Sequence, residues 1–261
     1  MRMRIFIFLA TYLAAGTLCA QNVPMAEIEG GSFIPLYGTG EEVSVEGFLM
    51  DVYPVTNAQY LQFVTENPQW RRSRVVRLFA DENYLSSWES DLQLGEGQKP
   101  DAPVTNVSWF AAKEYCECLG KRLPSVDEWE YVAMASETSK DARATEAYTK
   151  YILSWYETPR TFDNPVGETY RNVWGVYDLH GLVWEWPADF NSVMVVGENK
   201  NEGTGGNNRF CDAGAVSTSD LMNYAAFMRY AFRGSLKGNY TIQNLGFRCV
   251  QDLSTNKEQH P

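Results

Sequence analysis

Two short helices that follow one another between residues 108 and 133 constrain the fold most. Ser108 is placed to cap a first helix, whose apolar residues share one face and which Gly120 ends. Ser125 and Glu128 then form a capping box at the start of a second helix. Helices of this length are stable only when packed against other elements. The sequence therefore predicts two consecutive short helices in this block, the most helical part of the chain.

The segments around this helical pair read as short strands, turns and irregular chain. Residues 25–55 predict short strands, and Thr56 predicts the start of a further helix. Residues 137–172 read as polar and irregular, and residues 197–208, rich in Gly and Asn, predict a mobile loop. Because no internal repeat or Pro/Ser linker interrupts the chain, we expect one domain over residues 21–261.

Composition narrows the range of partners. The 261 residues contain 44% hydrophobic and 14% aromatic residues, which favours a packed core. The formal net charge of −11 repels phosphate backbones, so we expect no binding to nucleic acid. Four arginines interrupt this acidic background. These residues are Arg71, Arg72, Arg74 and Arg77. Their clustering predicts either a solvated helix face or a docking patch.

The N-terminus has the pattern of a secretory signal peptide. Arg2 and Arg4 precede the apolar run of residues 5–15, which is too short to span a bilayer. We expect cleavage after residue 20 and a secreted or periplasmic protein without a membrane span. Lipidation of Cys19 is disfavoured, because Leu18 is larger than the residue that normally precedes a lipidated cysteine.

Four cysteines remain after the predicted cleavage. An even number in an exported protein favours disulfides, and four cysteines allow three connectivities. The residue pattern alone does not choose among these pairings of Cys116, Cys118, Cys211 and Cys249.

Four separated blocks of sequence resemble the formylglycine-generating enzymes, also called sulfatase-modifying factors. The likeness covers nearly the whole predicted mature chain, and its motifs keep the family's order. The blocks are residues 28–33 with 55–60, 103–109 with 120–131, 175–186, and the N-L-G-F-R-C motif at 244–249. The resemblance implies an α+β fold, irregular and related to C-type lectins, with little regular secondary structure. It also implies a disulfide between Cys116 and Cys249, which leaves Cys118 and Cys211 to pair, to stay reduced or to bind metal.

The sequence differs from the family at the positions of the two catalytic cysteines. Formylglycine-generating enzymes hold copper with two cysteines and oxidise a cysteine of their substrate. Those two positions fall here on Asp220 and Ala225, and neither side chain is the soft ligand that copper(I) prefers. Other residues of the family's pocket carry over, which predicts a binding groove formed by Ser217, Tyr224, Arg233 and Asn244.

The calcium site that the resemblance implies also lacks one of its ligands. Glu185 matches a calcium ligand of the family, but a neighbouring family asparagine is Leu182 here. The sequence therefore assigns no cofactor; Glu185 remains the candidate calcium ligand, and the lost cysteines count against copper.

These departures predict a family member without the copper-dependent oxidation. We expect it to bind a protein or peptide client and to assist the maturation or assembly of another exported protein. Two alternatives stay open: an oxidoreductase of altered chemistry that uses Asp220 with Cys211 or Cys118, and a factor for maturation of copper enzymes.

Overall fold

The structure, a computed structural model, describes residues 23–36, 40–192 and 221–253. The predicted signal peptide and the predicted mobile loop at 197–208 lie outside these residues. The strands are short, and their bounds are β1 Met25–Ile28, β2 Gly31–Phe33, β3 Val43–Val45, β4 Phe48–Asp51, β5 Trp88–Ser90, β6 Gln93–Leu94, β7 Trp184–Glu185, β8 Leu245–Gly246 and β9 Val250–Asp252.

Helices supply most of the regular structure in the described residues. Their bounds are α1 Asn57–Glu66, α2 Trp109–Cys118, α3 Val126–Ala133, α4 Glu146–Glu157 and α5 Leu221–Gly234, with short 3-10 turns at Pro68–Trp70 and Thr161–Asp163. This mixture of helices and small sheets is the α+β fold that the sequence predicts.

The three predicted helix starts are confirmed as side-chain caps. Thr56 and Ser125 each form a reciprocal capping box with the residue three positions later. Ser108 accepts the backbone N–H of Ala111, as an N-cap does. Gly120 follows the end of α2 with φ of +69°, a conformation that glycine adopts without strain.

Helix α4 corrects the prediction that residues 137–172 are irregular. Its buried side chains are Tyr148, Thr149, Ile152 and Trp155, whose positions place them on one face of a helix. That face packs against α5 and the neighbouring core. The many polar residues on the opposite, solvent face made the segment read as irregular.

The sheets join segments that are distant in sequence. Strand β4 lies between β1 and β9 in an antiparallel sheet, so the C-terminal strand pairs with the N-terminal part of the chain. Strands β7 and β8 form a parallel pair in which Trp184 faces Leu245 and Glu185 faces Gly246. This pair is short, and it brings residues 184–185 beside the C-terminal motif.

A disulfide joins α2 to the segment before β9. The Cys116 and Cys249 sulfurs are 1.98 Å apart and both residues are fully buried. This is the pairing that the family resemblance implied. Aromatic rings surround the bridge in the main core, including Tyr60, Phe63, Tyr115 and Phe247.

An ion pair between Arg248 and Glu185 lies at the centre of the molecule. Arg248 donates to both Glu185 oxygens at 2.8–3.0 Å, and neither side chain is exposed to solvent. The same guanidinium donates to the backbone carbonyls of Asp51, Val52 and Tyr177. One side chain thereby ties together the end of β4, β7 and the C-terminal segment.

No helix in the described part of the chain has the length and apolar character needed to cross a bilayer.

The disulfide predicts a measurable loss of stability on removal. Replacing Cys116 and Cys249 together by Ala should lower the free energy of unfolding by about 2–5 kcal/mol, because the bridge spans 133 residues of chain. Urea unfolding followed by tryptophan fluorescence measures the change. Chemical reduction is not an adequate substitute for the double variant, since Cys118 is also disulfide-bonded. A loss below about 1 kcal/mol would contradict a stabilising role for this bridge.

Candidate functional site

The candidate site is built on α5, which carries two arginines into the interior. Arg229 and Arg233 are one helical turn apart and both bind Glu130 of α3. Arg229 meets the carboxylate in a two-pronged contact at 3.0 and 2.7 Å, and Arg233 donates at 2.7 Å. Burial by itself would raise the pKa of Glu130, but the two guanidinium groups lower it to about 2. The ion pairs fasten α5 to α3.

Trp129 connects this cluster to the central ion pair. Its indole N–H donates to Glu185 at 2.7 Å, and the Arg233 guanidinium carbon lies 4.8 Å from the indole ring centroid. The Arg229 guanidinium carbon is 5.8 Å from the same ring. Trp129 therefore lies between two buried carboxylates and contacts the cations of one of them.

Ala225 is on the same face of α5, one turn before Arg229. Its side chain is 3% exposed and packs with residues of α4, and its backbone carbonyl accepts the Tyr156 hydroxyl at 3.1 Å. Ala225 occupies the second cysteine position of the resemblance. A methyl group offers no ligand to copper(I), so the described half of the family's copper site does not fit that metal.

A small cavity of about 20 Å³ opens beside Ala225. Its walls combine charged, hydroxyl and apolar side chains from β2, α3, α4 and α5. Its lining includes Phe33, Glu130, Arg143, Thr149, Ala225 and Arg229.

His180 is buried below this cluster as a neutral imidazole. Its Nε2 is 3.0 Å from the carbonyl of Ala133, which only accepts, so Nε2 carries the proton. Tyr148 donates to the same carbonyl and contacts the ring. Burial, reinforced by the positive charge of Arg229, lowers the pKa of His180 to about 3. His180 is thus a structural group in this region.

A half-buried aromatic cluster lies on the other side of α5. Trp184 contacts Phe232, with ring centroids 4.8 Å apart, and stacks on Tyr156 at 5.4 Å. The backbone N–H of Trp184 donates to the carbonyl of Asn244 at 2.9 Å. These contacts place Asn244 beside the aromatic cluster and near the end of α5.

The predicted groove residues differ in how far the structure describes them and in whether they are buried. Ser217, Asp220 and Cys211 lie outside the described residues. Tyr224 lies in the first turn of α5, where only the backbone is described. Arg233 is buried on Glu130 and Trp129, so a client could reach it only if that ion pair opened. Its role in a groove, like that of the other three residues, stays a prediction.

Glu185 and Cys118 also have defined surroundings. Both oxygens of the Glu185 carboxylate are engaged by Arg248 and Trp129, so the residue does not present a calcium site in this arrangement. Across residues 23–36, 40–192 and 221–253, no group of three His, Cys, Asp or Glu residues is arranged to hold a metal. Cys118 is disulfide-bonded, and its sulfur is therefore not a free thiol.

The four arginines between residues 71 and 77 lie in turns, not on a helix face. We call residues 71–79 the arginine loop. The loop is held in place: Arg72 donates to the Trp88 carbonyl at 2.7 Å, and Ser73 donates twice to Asp91. Its apolar residues nevertheless face solvent, with exposures of 59% for Val76, 71% for Leu78 and 39% for Phe79. The helix-face interpretation is therefore wrong.

Sequence reasoning missed several residues of this region. Glu130 and Trp129 belong to a motif that carried the family likeness, yet their role as partners of α5 was not predicted. Arg229 precedes the predicted Arg233 by four residues, a spacing that places both on one helix face. That spacing was the available signal.

The fold and the site together define an α+β protein in which Ala225, at the position that the resemblance matches to a catalytic cysteine, carries no metal ligand. The profile of the family described as sulfatase-modifying factor enzyme 1-like domain matches residues 14–253. The chain belongs to this family.

Similar proteins include both active and inactive members. The inactive C-alpha-formylglycine-generating enzyme 2 of Mus musculus is 26% identical, with 92% of this chain and 89% of that protein covered. The formylglycine-generating enzyme of Bos taurus is 28% identical, with 80% of this chain and 67% of that protein covered.

Another relative is much longer than this chain. The serine/threonine-protein kinase Pkn1 of Chlamydia trachomatis is 29% identical over 178 residues. The match covers 64% of this chain and spans 28% of the length of Pkn1. Among solved structures, PvdO from Pseudomonas aeruginosa matches with 20% identity and a TM-score of 0.49, covering 88% of this chain and 94% of that one.

The buried histidine predicts a loss of stability in mild acid. Because the His180 pKa falls from 6.5 to about 3 on folding, the unfolded chain binds a proton below pH 6.5 and the folded protein does not. The free energy of unfolding should therefore fall by about 2 kcal/mol between neutral pH and pH 5. Urea unfolding at each pH measures it.

Two variants isolate the contribution of His180. His180→Phe should lose this part of the pH dependence, whereas His260→Phe, at the only other histidine, should keep it. The raised pKa of buried Asp51 and of Asp127 acts in the opposite direction but equally in all three proteins. Identical pH profiles for wild type and His180→Phe would show that the imidazole is not buried neutral.

Proposed function

We propose that this protein is an exported, non-catalytic member of its family that binds a protein client and assists its maturation or assembly. The observation that carries the proposal is Ala225, a buried methyl at a position where the family's chemistry requires a thiolate. Helix α5 keeps Arg233, which matches an arginine of the family, and its ion pairs with Glu130 hold it on α3. A folded helix without the metal ligand favours a binding role.

The relatives support a non-catalytic role. A mammalian relative named as inactive aligns over 92% of this chain, so an inactive member of the family can share most of its length. In this chain Asp220 replaces the other catalytic cysteine, and an aspartate is a hard oxygen ligand unsuited to copper(I).

Export rests on the N-terminal sequence and on the cysteines. The signal-peptide pattern of residues 1–20 supports passage to the periplasm or out of the cell. The buried Cys116–Cys249 bridge supports an oxidising compartment.

The altered-oxidoreductase alternative receives less support. It needs a reactive thiol at Cys118 or Cys211, and Cys118 is disulfide-bonded. While it is held in a disulfide, the Cys118 sulfur is not a thiolate that could act as a nucleophile or as a metal ligand.

The non-catalytic proposal predicts no aldehyde formation. The purified protein, incubated with a cysteine-containing sulfatase peptide, copper(I) and oxygen, should leave the peptide mass unchanged. An active formylglycine-generating enzyme run in parallel is the positive control. Conversion of the substrate cysteine to formylglycine by this protein, detected by mass spectrometry or aldehyde labelling, would sink the proposal.

The arginine loop is the surface that we propose for contact with the client. Three apolar side chains are exposed on a loop that hydrogen bonds hold in place, and this costs solvation free energy unless a partner covers them. The loop has four arginines and no acidic residue in a chain of net charge −11. Charge complementarity therefore favours an acidic client segment with apolar side chains.

Substitution in the loop should weaken binding of the client. After chemical cross-linking in the native host, the exported protein recovered with the wild type should be at least tenfold depleted with Arg77→Glu/Leu78→Ser. Val173→Ser, which changes an exposed apolar residue elsewhere, is the matched control. Equal recovery of the client with the loop variant and with Val173→Ser would remove the arginine loop from the proposal. The loop contact should also weaken at high ionic strength.

A further inference from the structure

We propose that the arginine loop is a proteolytic processing site, cut between Arg77 and Leu78 by an endopeptidase that requires arginine on the amino side of the scissile bond. The reaction consumes one water molecule: the amide bond breaks, Arg77 gains a carboxylate and Leu78 gains an ammonium group. The cleavage itself does not depend on client binding. Only its effect on the client surface rests on the proposed function.

The side chains on both sides of this bond are accessible to a protease. Arg77 is exposed, and no ion pair or hydrogen bond engages its guanidinium within the described part of the chain. Leu78 is 71% exposed. Proteases that select a basic residue hold it in a pocket that carries a carboxylate, as trypsin does. Arg77 therefore enters such a pocket without losing a contact inside its own protein.

The backbone around the bond is held by few hydrogen bonds. The N–H groups of Val76, Arg77 and Leu78 donate to no acceptor among the described residues. Two bonds onto the Val76 carbonyl, from Phe79 at 2.8 Å and Ala80 at 3.3 Å, close the turn. An extended peptide is bound through main-chain hydrogen bonds. Opening this turn for a protease therefore breaks little of the protein's own structure.

The other three arginines of the loop are less accessible to a protease. Arg71 donates at 3.1 Å to two backbone carbonyls at the end of α1. Arg72 donates to the Trp88 carbonyl, and the residue after it is bonded to the turn between β5 and β6. The bond after Arg74 leads to Val75, which is half-buried against the main core. The geometry thus selects one bond of the loop.

Arginines elsewhere in the described residues are also protected. All but one of those outside the loop form ion pairs, and they are Arg122, Arg143, Arg160, Arg229, Arg233 and Arg248. The exception, Arg171, is exposed but forms a β-bridge with Tyr177. The next residue, Asn172, is buried. Cleavage after Arg171 therefore requires a larger opening of the fold, and this arginine is a suitable control.

The cleaved protein should stay assembled. Strands β1 and β4 and helix α1 precede the cut, and β4 pairs with both β1 and the C-terminal strand β9. Helix α1 also buries Tyr60 and Phe63 in the main core. The cut instead divides the exposed loop, with its four arginines on one piece and Leu78 and Phe79 on the other. Cleavage therefore ends the client surface as a single unit.

Limited digestion of the purified protein tests the site. The probe is clostripain, an arginine-specific endopeptidase, and new N-termini are quantified over time by mass spectrometry. The N-terminus at Leu78 should form roughly tenfold faster than the one at Asn172, because the loop needs only a local opening. The two pieces should elute together at the size of the intact protein. Equal rates of cleavage at the two bonds would overturn the proposal.

A matched pair of variants tests the requirement for arginine. Arg77→Lys keeps the positive charge but removes the guanidinium, so cleavage before Leu78 should fall about tenfold. Arg171→Lys, the same change at the exposed arginine outside the loop, should leave that cleavage unchanged. Undiminished cleavage before Leu78 in Arg77→Lys would contradict the assignment.

Processing in the native host gives a second readout. Chemical labelling of N-termini in the exported fraction should detect a form that begins at Leu78 for the wild type and for Arg171→Lys, but not for Arg77→Lys. Recovery of the uncut chain alone from the wild type would overturn the proposal. Neither measurement uses the client, so a failure here is distinct from a failure of client binding.

Discussion

The buried ion pair between Arg248 and Glu185 is the interaction on which the rest of this structure depends. Arg248 lies three residues after Leu245, where the chain pairs with β7, and directly before Cys249. Its guanidinium satisfies three backbone carbonyls and a carboxylate at once. Removing one partner of such a pair costs about 3–5 kcal/mol, because the other charge stays buried without a partner. Short strands with few ladder bonds are held in register by this side chain.

Trp129 connects the Arg248–Glu185 ion pair to the candidate site. One edge of its indole binds Glu185, while its ring faces the guanidinium groups of Arg229 and Arg233. Helix α5 is therefore oriented by the same central network that holds the C-terminal segment. The interactions that position α5 are made by Glu130 and Trp129, whereas the Ala225 side chain contributes packing against α4.

Local structure was largely predictable, and the contacts between distant segments were not. The caps at Thr56, Ser108 and Ser125 are formed by hydrogen bonds within three residues, so the sequence contains both partners. Helix α4 was missed although its buried residues have helical spacing, because its polar face dominated the composition of the segment. The parallel pairing of β7 with β8 joins residues 61 positions apart, with two residues from each strand, and no local pattern encodes it.

For this protein the sequence by itself determined the family and the helix starts, since each is a matter of residue identity or short-range hydrogen bonding. Only the tertiary structure decided what the remaining polar residues do. Arg233 matched a groove residue but is buried on Glu130, and Glu185 matched a calcium ligand but holds Arg248. The physical reason is that a buried charge is costly unless it is paired. Which residue becomes its partner depends on contacts between segments that are far apart in the chain.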